Sequence, residues 1–204
     1  GCANFESVDD ACRDNVRGDQ HGSAEAAEVI GRISCYRTYV GLDRGDIDRR
    51  ITEAVESHTT YLDTNEILST TGDWWAEDPA APGFTGVDSF ARLYEAEYLT
   101  AGIGSAFIWE VLLPVLDGTR AETIDEVMVS PLARDALLAP AWEGSGYDEG
   151  TDPVFGDFAY MNIVLYYPSG ARSNRPVIYP QDGQVDVPTS WTVDDPTDPA
   201  MAGL

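Results

Sequence analysis

The chain has 204 residues and a formal net charge of −24; arginine supplies every basic charge, because the sequence contains no lysine. A length and apolar content of this order fit one globular domain with a full core. The charge repels phosphate backbones and anionic lipid heads, which argues against nucleic-acid binding. No run of about 18 apolar residues offers a membrane span; the longest candidate, Ile103 to Leu116, is interrupted by Gly104, Glu110 and Pro114.

In chain order, residues 1–23 are polar and rich in Asp, Gly and Asn, and read as an irregular lead. Two helices follow between Ala24 and Glu66. Val29, Ile33, Tyr36 and Val40 mark the buried side of the first; Ile47, Ile51, Val55, His58 and Leu62 mark that of the second. This spacing gives each helix one face to bury. The turn between them has Gly41 just past the first helix and an Asp ahead of the second, where it can cap free backbone N–H groups. Ile67 to Gly86 reads as a long loop carrying Trp74, Trp75 and Phe84, either a lid over the core or one wall of a ligand cleft.

Asp88 to Leu99 reads as a third helix, with Phe90, Leu93, Tyr94 and Tyr98 as its apolar side. Ile103 to Leu116 reads as a helical turn leading into a buried segment. Thr123 to Leu138 is helical and is broken at Ser130-Pro131. Glycines at 144, 146, 150 and 156 then punctuate the chain. Phe158 to Tyr167 is the clearest strand, aromatic and β-branched. Val177-Ile178-Tyr179 reads as a short extended piece, and residues 196–204 as a Pro-rich tail. Helices come first and strands late, which predicts an α+β layered domain over residues 24–195.

The sequence contains three cysteines, Cys2, Cys12 and Cys35, at spacings that match no zinc or haem pattern. One disulfide from the lead, with Cys12–Cys35 preferred, would pin the lead to the first helix and imply an oxidising compartment. Cys2 is then a free thiol, an intermolecular partner or a lipidated residue near a processed end. Neither histidine belongs to a recognisable metal motif: His21 lies in the polar lead, and His58 on the buried stripe of the second helix. Nucleophile-elbow, P-loop, HExxH and dinucleotide-binding patterns are all missing. Glu110 sits inside an apolar run, where a carboxylate is either solvent-facing or buried with a partner. Arg134, between Leu132 and Leu137, is the expected partner.

The order of several short pieces resembles the CAP superfamily of cysteine-rich secretory proteins, venom allergens and plant pathogenesis-related proteins, in its bacterial SCP-like branch. Arg37 and Gly41-Leu42 match the opening Asn-x-x-Arg-x-x-x-Gly-Leu helix. Ala54 to Tyr61 resembles the next helix, with His58 at its histidine. Glu77 to Gly86 resembles the loop after the first cleft histidine, and Trp109-Glu110-Val111 falls where a Gly-Glu-Asn motif supplies a glutamate. Ser130 to Pro140 resembles Ser-Pro-x-His-Arg-x-x-Leu-Leu-x-Pro, Gly144 to Gly150 stands at the strand-preceding glycine motif, and Tyr179 to Trp191 resembles the bacterial C-terminal segment.

The resemblance implies a three-layer α-β-α sandwich and a cleft built on two histidines and glutamates. Here Ala133 stands at the second histidine, and the first falls near Trp75 or Ala76, so the resemblance implies neither a bound metal nor a cofactor. A vestigial cleft of Glu110, Arg134, Glu77 and His58 remains. The expected function is a secreted or cell-surface, non-catalytic binding or structural module, its partner a second copy or another extracellular protein. The alternative is a hydrolase using Glu110 and Glu77 as a carboxylate pair.

Overall fold

Local sequence sets the start of most helices in the computed structural model, which describes residues 5, 7–13, 22–70, 73–100, 106–115, 119–140, 142–152 and 158–168. Ser23 caps α2 (Ala24–Tyr39) by accepting from the Ala26 N–H, and Asp48 caps α3 (Arg49–Thr64) by accepting from the Arg50 N–H. Such caps satisfy N–H groups that have no partner inside the helix. The two-helix reading of this region is therefore close to the fold, with one correction. Ile47 is not helical; Asp46–Ile47 form a short strand, β1, ahead of the cap.

Ahead of these lies α1 (Val8–Arg13), inside the stretch expected to be irregular. Ala11 is fully buried, and Cys12 is joined to Cys35 of α2 by a disulfide. The bond spans 23 residues of sequence, and a closure of that length stabilises a fold by roughly 3 kcal/mol. After α3 come α4 (Ile67–Thr70) and an extended loop, then α5 (Ser89–Glu95), capped by Asp88. The helix expected to reach Leu99 stops sooner: Ala96 caps its end, and Glu97 takes a left-handed conformation at φ 58°. Further on, α6 (Arg120–Val127) opens with a reciprocal capping box between Thr119 and Glu122, and α7 (Pro131–Leu137) opens on Ser130 and Pro131.

The segment expected to be a helical turn before a buried run is instead strand β2 (Ala106–Pro114). With β3 (Gly144–Asp152) and β4 (Phe158–Pro168) it completes a mixed four-stranded sheet in the order β1-β3-β4-β2. Only β1 and β3 run parallel; β2 and β3 are both antiparallel to β4.

Side chains along β4 alternate between two apolar clusters. Met161, Ile163, Leu165 and Tyr167 join the cluster that contains α2, α6 and α7 residues such as Ile33, Ile124 and Leu137. Val164 and Tyr166 join Ile51 and Val55 of α3 and Leu93 of α5. Helices thus cover both faces of the sheet in an α+β fold. The glycines of β3 permit close approach on the α3 side: a Cβ at Gly146 would lie 2.6 Å from the Ile51 carbonyl carbon and 2.7 Å from the Thr52 nitrogen.

No helix among the described residues is long and apolar enough to cross a membrane. Cys2, His21, the extended piece at 177–179, the segment from Tyr179 to Trp191 and the tail at 196–204 lie outside the described residues.

Candidate functional site

The α3 stripe places Ile51, Val55, His58 and Leu62 inward, so His58 is fully buried. A buried imidazole requires partners for both ring nitrogens. Nδ1 lies 2.8 Å from Glu77 Oε1, and Nε2 lies 2.7 Å from the Trp74 carbonyl oxygen. A carbonyl oxygen only accepts, so Nε2 carries a proton.

Glu77 is buried, and burial alone would raise its carboxyl pKa. The hydrogen bonds from His58, from the Thr85 and Gly86 N–H groups and from the Thr85 hydroxyl outweigh that effect and hold the pKa below the usual carboxylate value. The contacts are 2.5 Å to Thr85 N, 3.0 Å to Gly86 N and 3.0 Å from Thr85 Oγ1. Glu77 is therefore ionised at neutral pH and accepts from His58 as well.

The other half of the site comes from α5 and β2. Glu110 is paired in register with Val164, and directly opposed residues share a sheet face. Glu110 therefore points to the α3 and α5 side. There Arg92 Nη2 donates to Glu110 Oε2 at 2.6 Å, and the Ser89 hydroxyl donates to the same oxygen. Arg92 Nη1 lies 3.7 Å from Glu77 Oε1, and His58 Nε2 lies 3.9 Å from Glu110 Oε1. With a proton on both ring nitrogens of His58, two cations face two carboxylates and the group is neutral.

Further hydrogen bonds hold the loop down. The Tyr61 hydroxyl accepts from the Asp78 N–H at 2.8 Å, and Asn65 Nδ2 donates to the Pro82 carbonyl at 2.9 Å. His58 and Tyr61 of α3 and Asn65, which caps its C-terminal end, thus grip the loop at three points.

The structure brings His58, Glu77 and Glu110 together, but not Arg134. That residue lies on α7, where its neighbours Ala133 and Leu137 pack into the cluster on the opposite face of the sheet. The sheet stands between Arg134 and Glu110, so the expected Glu110–Arg134 pair is replaced by Glu110–Arg92. The sequence does carry a signal for Arg92, though not a reading of it as the partner: it is the only arginine between Arg50 and Arg120, and it adjoins the inward-facing Leu93.

Glu77 has both oxygens occupied by internal donors, and the nitrogens of His58 are spent on Glu77 and a backbone carbonyl. Neither can take up a substrate proton without breaking the network. Glu110 Oε1 differs: it is buried and has no hydrogen-bond partner. It borders a recess of about 170 Å³, counting space open to solvent, lined by Ala54, Val55, Ser89, Arg92, Leu93 and Val164. Among the described residues no group of three or more His, Cys, Asp or Glu side chains is arranged to hold a metal ion.

Fold and site together define an α+β domain with a buried, charge-balanced cluster beneath a clamped loop. No protein-family model matches the chain, and no curated protein matches it in sequence. Among solved structures, an outer surface protein from Borrelia burgdorferi aligns with a TM-score of 0.48 at 12% identity, over 68% of this chain and 89% of that chain.

Proposed function

We propose that the chain is a secreted or cell-surface module of CAP type whose cleft residues serve architecture and binding rather than catalysis. The observation that carries this reading is the Glu77 carboxylate, which is buried and accepts from His58, Thr85 and Gly86. A general acid or base must be able to exchange a proton with a substrate; this carboxylate faces only the protein's own donors. The helices on both faces of the sheet support the sandwich reading, and the Cys12–Cys35 disulfide supports an oxidising compartment.

The alternative, a hydrolase built on Glu110 and Glu77, needs two available carboxylates, and the network leaves one oxygen of Glu110. The test is a panel of glycoside and ester substrates assayed with native protein and with Glu110→Gln. No turnover above the buffer rate is expected for either. Turnover by native protein that disappears in Glu110→Gln would establish the hydrolase instead.

A further inference from the structure

Five of the six large hydrophobic side chains exposed among the described residues fall in one stretch of sequence: Trp75, Phe84, Val87, Phe90 and Tyr94. The buried network draws the chain segments that carry them together. Trp75 follows Trp74, whose carbonyl His58 holds. Phe84 and Val87 flank Thr85 and Gly86, which Glu77 holds. Phe90 follows Ser89, and Tyr94 is two residues past Arg92, both bound to Glu110. Each exposed apolar side chain is thus within two positions of a residue tied into the same buried network, and Phe90 and Tyr94 share one face of α5 by their spacing of four. Monomeric proteins rarely leave large apolar groups clustered in this way unless the patch binds something.

The charges around the patch indicate what it binds. Between residues 73 and 97 every exposed charged side chain is acidic: Asp73, Asp78, Asp88, Glu95 and Glu97. Of the nearby cations, His58 and Arg92 are buried beneath it, and the exposed Arg50, at the Glu97 end, is already paired with Asp48. Aromatic faces bordered by carboxylates attract cations through ring quadrupole and Coulomb terms together. The enclosed volume of the neighbouring recess is only about 10 Å³, far short of the roughly 300 Å³ at which small-molecule pockets begin, so an extended surface fits a macromolecule better than a small ligand. A second copy of this chain would bring the same acidic surface and be repelled.

We infer that the surface formed by the 73–88 loop and the outer face of α5 docks a protein segment that interleaves basic and apolar side chains. This rests on the binding-module reading above. The buried His58–Glu77–Arg92–Glu110 network is then the device that holds the docking loop in shape.

The experiment is calorimetric titration of the full chain, at near-physiological salt, with a short synthetic peptide of alternating Arg and Leu. Saturable binding is expected. The double variant Phe90→Ser/Tyr94→Ser, which leaves the charge unchanged, should weaken it by about tenfold or more, the scale of lost aromatic anchors. Trp75→Ser should weaken it independently, while Phe107→Ser, exposed on β2, should leave it unchanged.

The proposal is overturned if the peptide does not bind, if the Phe90 and Tyr94 variant binds as tightly as native protein, or if Phe107→Ser loses as much. Equal binding of a Glu–Leu peptide, uptake by phosphatidylcholine vesicles in place of the peptide, or self-association would overturn it too. None of these results bears on the absence of turnover, which the hydrolysis assay reads separately.

Discussion

Two arginines are buried on opposite faces of the sheet, and the protein treats them differently. Arg37, on the α2 face, donates to three backbone carbonyls, at 2.8 Å to Asp43, 2.9 Å to Leu137 and 2.7 Å to Ala139. Its guanidinium lies 5.0 Å from the centroid of the Trp142 ring, and its Nη2 has no partner. Burial pulls its pKa down to about 10, against the opposing influence of Tyr167 and Asp43, and the group remains a cation at neutral pH. Arg92, on the α3 and α5 face, meets two carboxylates instead. The first arginine ties together pieces of chain that are distant in sequence; the second neutralises charge that other residues have brought inside. A buried cation without a carboxylate is tolerable when fixed dipoles surround it. A buried carboxylate without a cation is costly.

The largest expected effect breaks the charge-balanced face. Arg92→Ala leaves Glu110 and Glu77 buried without their shared cation and should lower stability by about 3–5 kcal/mol, read as a fall in the urea midpoint. Adding Glu110→Leu should recover part of that loss, because the stranded carboxylate is removed with its partner. A double variant no more stable than Arg92→Ala would show that packing, not charge, is what Arg92 supplies.

The second test probes the other face. Arg37→Met loses three hydrogen bonds to carbonyls but strands no charge and relieves the cost of burying a cation. A smaller loss is expected, about 1–3 kcal/mol, from the same urea titration. If the two arginines cost the same to remove, the distinction between tying backbone and neutralising charge does not hold.

Much of this contrast is hidden from sequence, for reasons particular residues make plain. The α2 and α3 stripes are visible because each helix buries one side, and apolar residues recur at the helical period. Strand β2 is not visible because it is covered on both sides: Val111 and Leu113 face one cluster while Ile108 and Leu112 face others. Its apolar run therefore lacks the alternation that marks a half-buried strand. The glycines of β3 look like breaks in structure until α3 is placed against them; Gly146 is where the two backbones meet. Glu110 stands out in sequence as a charge in an apolar run, but its partner does not, because choosing between Arg92 and Arg134 requires knowing which side of the sheet each occupies. The lead conceals α1 because six residues with a single fully buried alanine carry too little pattern to announce a helix.

The smallest signal near neutrality is the pH dependence of the Glu77 contribution, and it separates the two faces most cleanly. Glu77 titrates below the ordinary carboxylate value in the folded protein, burial being outweighed by the hydrogen bonds from His58, Thr85 and Gly86. In the unfolded chain it titrates near the reference value of about 4.3. As pH falls, the unfolded state takes up the proton first, so the stability contributed by ionised Glu77 is complete above that range. It is lost as pH drops through the lower folded value. Asp148 and Glu56 oppose this trend: burial raises both pKa values, with neighbouring acids adding to it. The acid limb of the native protein alone is therefore a composite. The difference between native protein and Glu77→Gln isolates the one group. Urea midpoints measured over a pH series should show a gap that narrows as pH falls below the reference carboxylate value. The gap between native protein and Arg37→Met should change less over the same range, because the hydrogen-bond partners of Arg37 are carbonyls, which do not titrate, and the Asp43 carboxylate acts on it only through space. Parallel curves for native protein and Glu77→Gln would mean that Glu77 is not held ionised by its donors, and the balance of two cations against two carboxylates would fail with it.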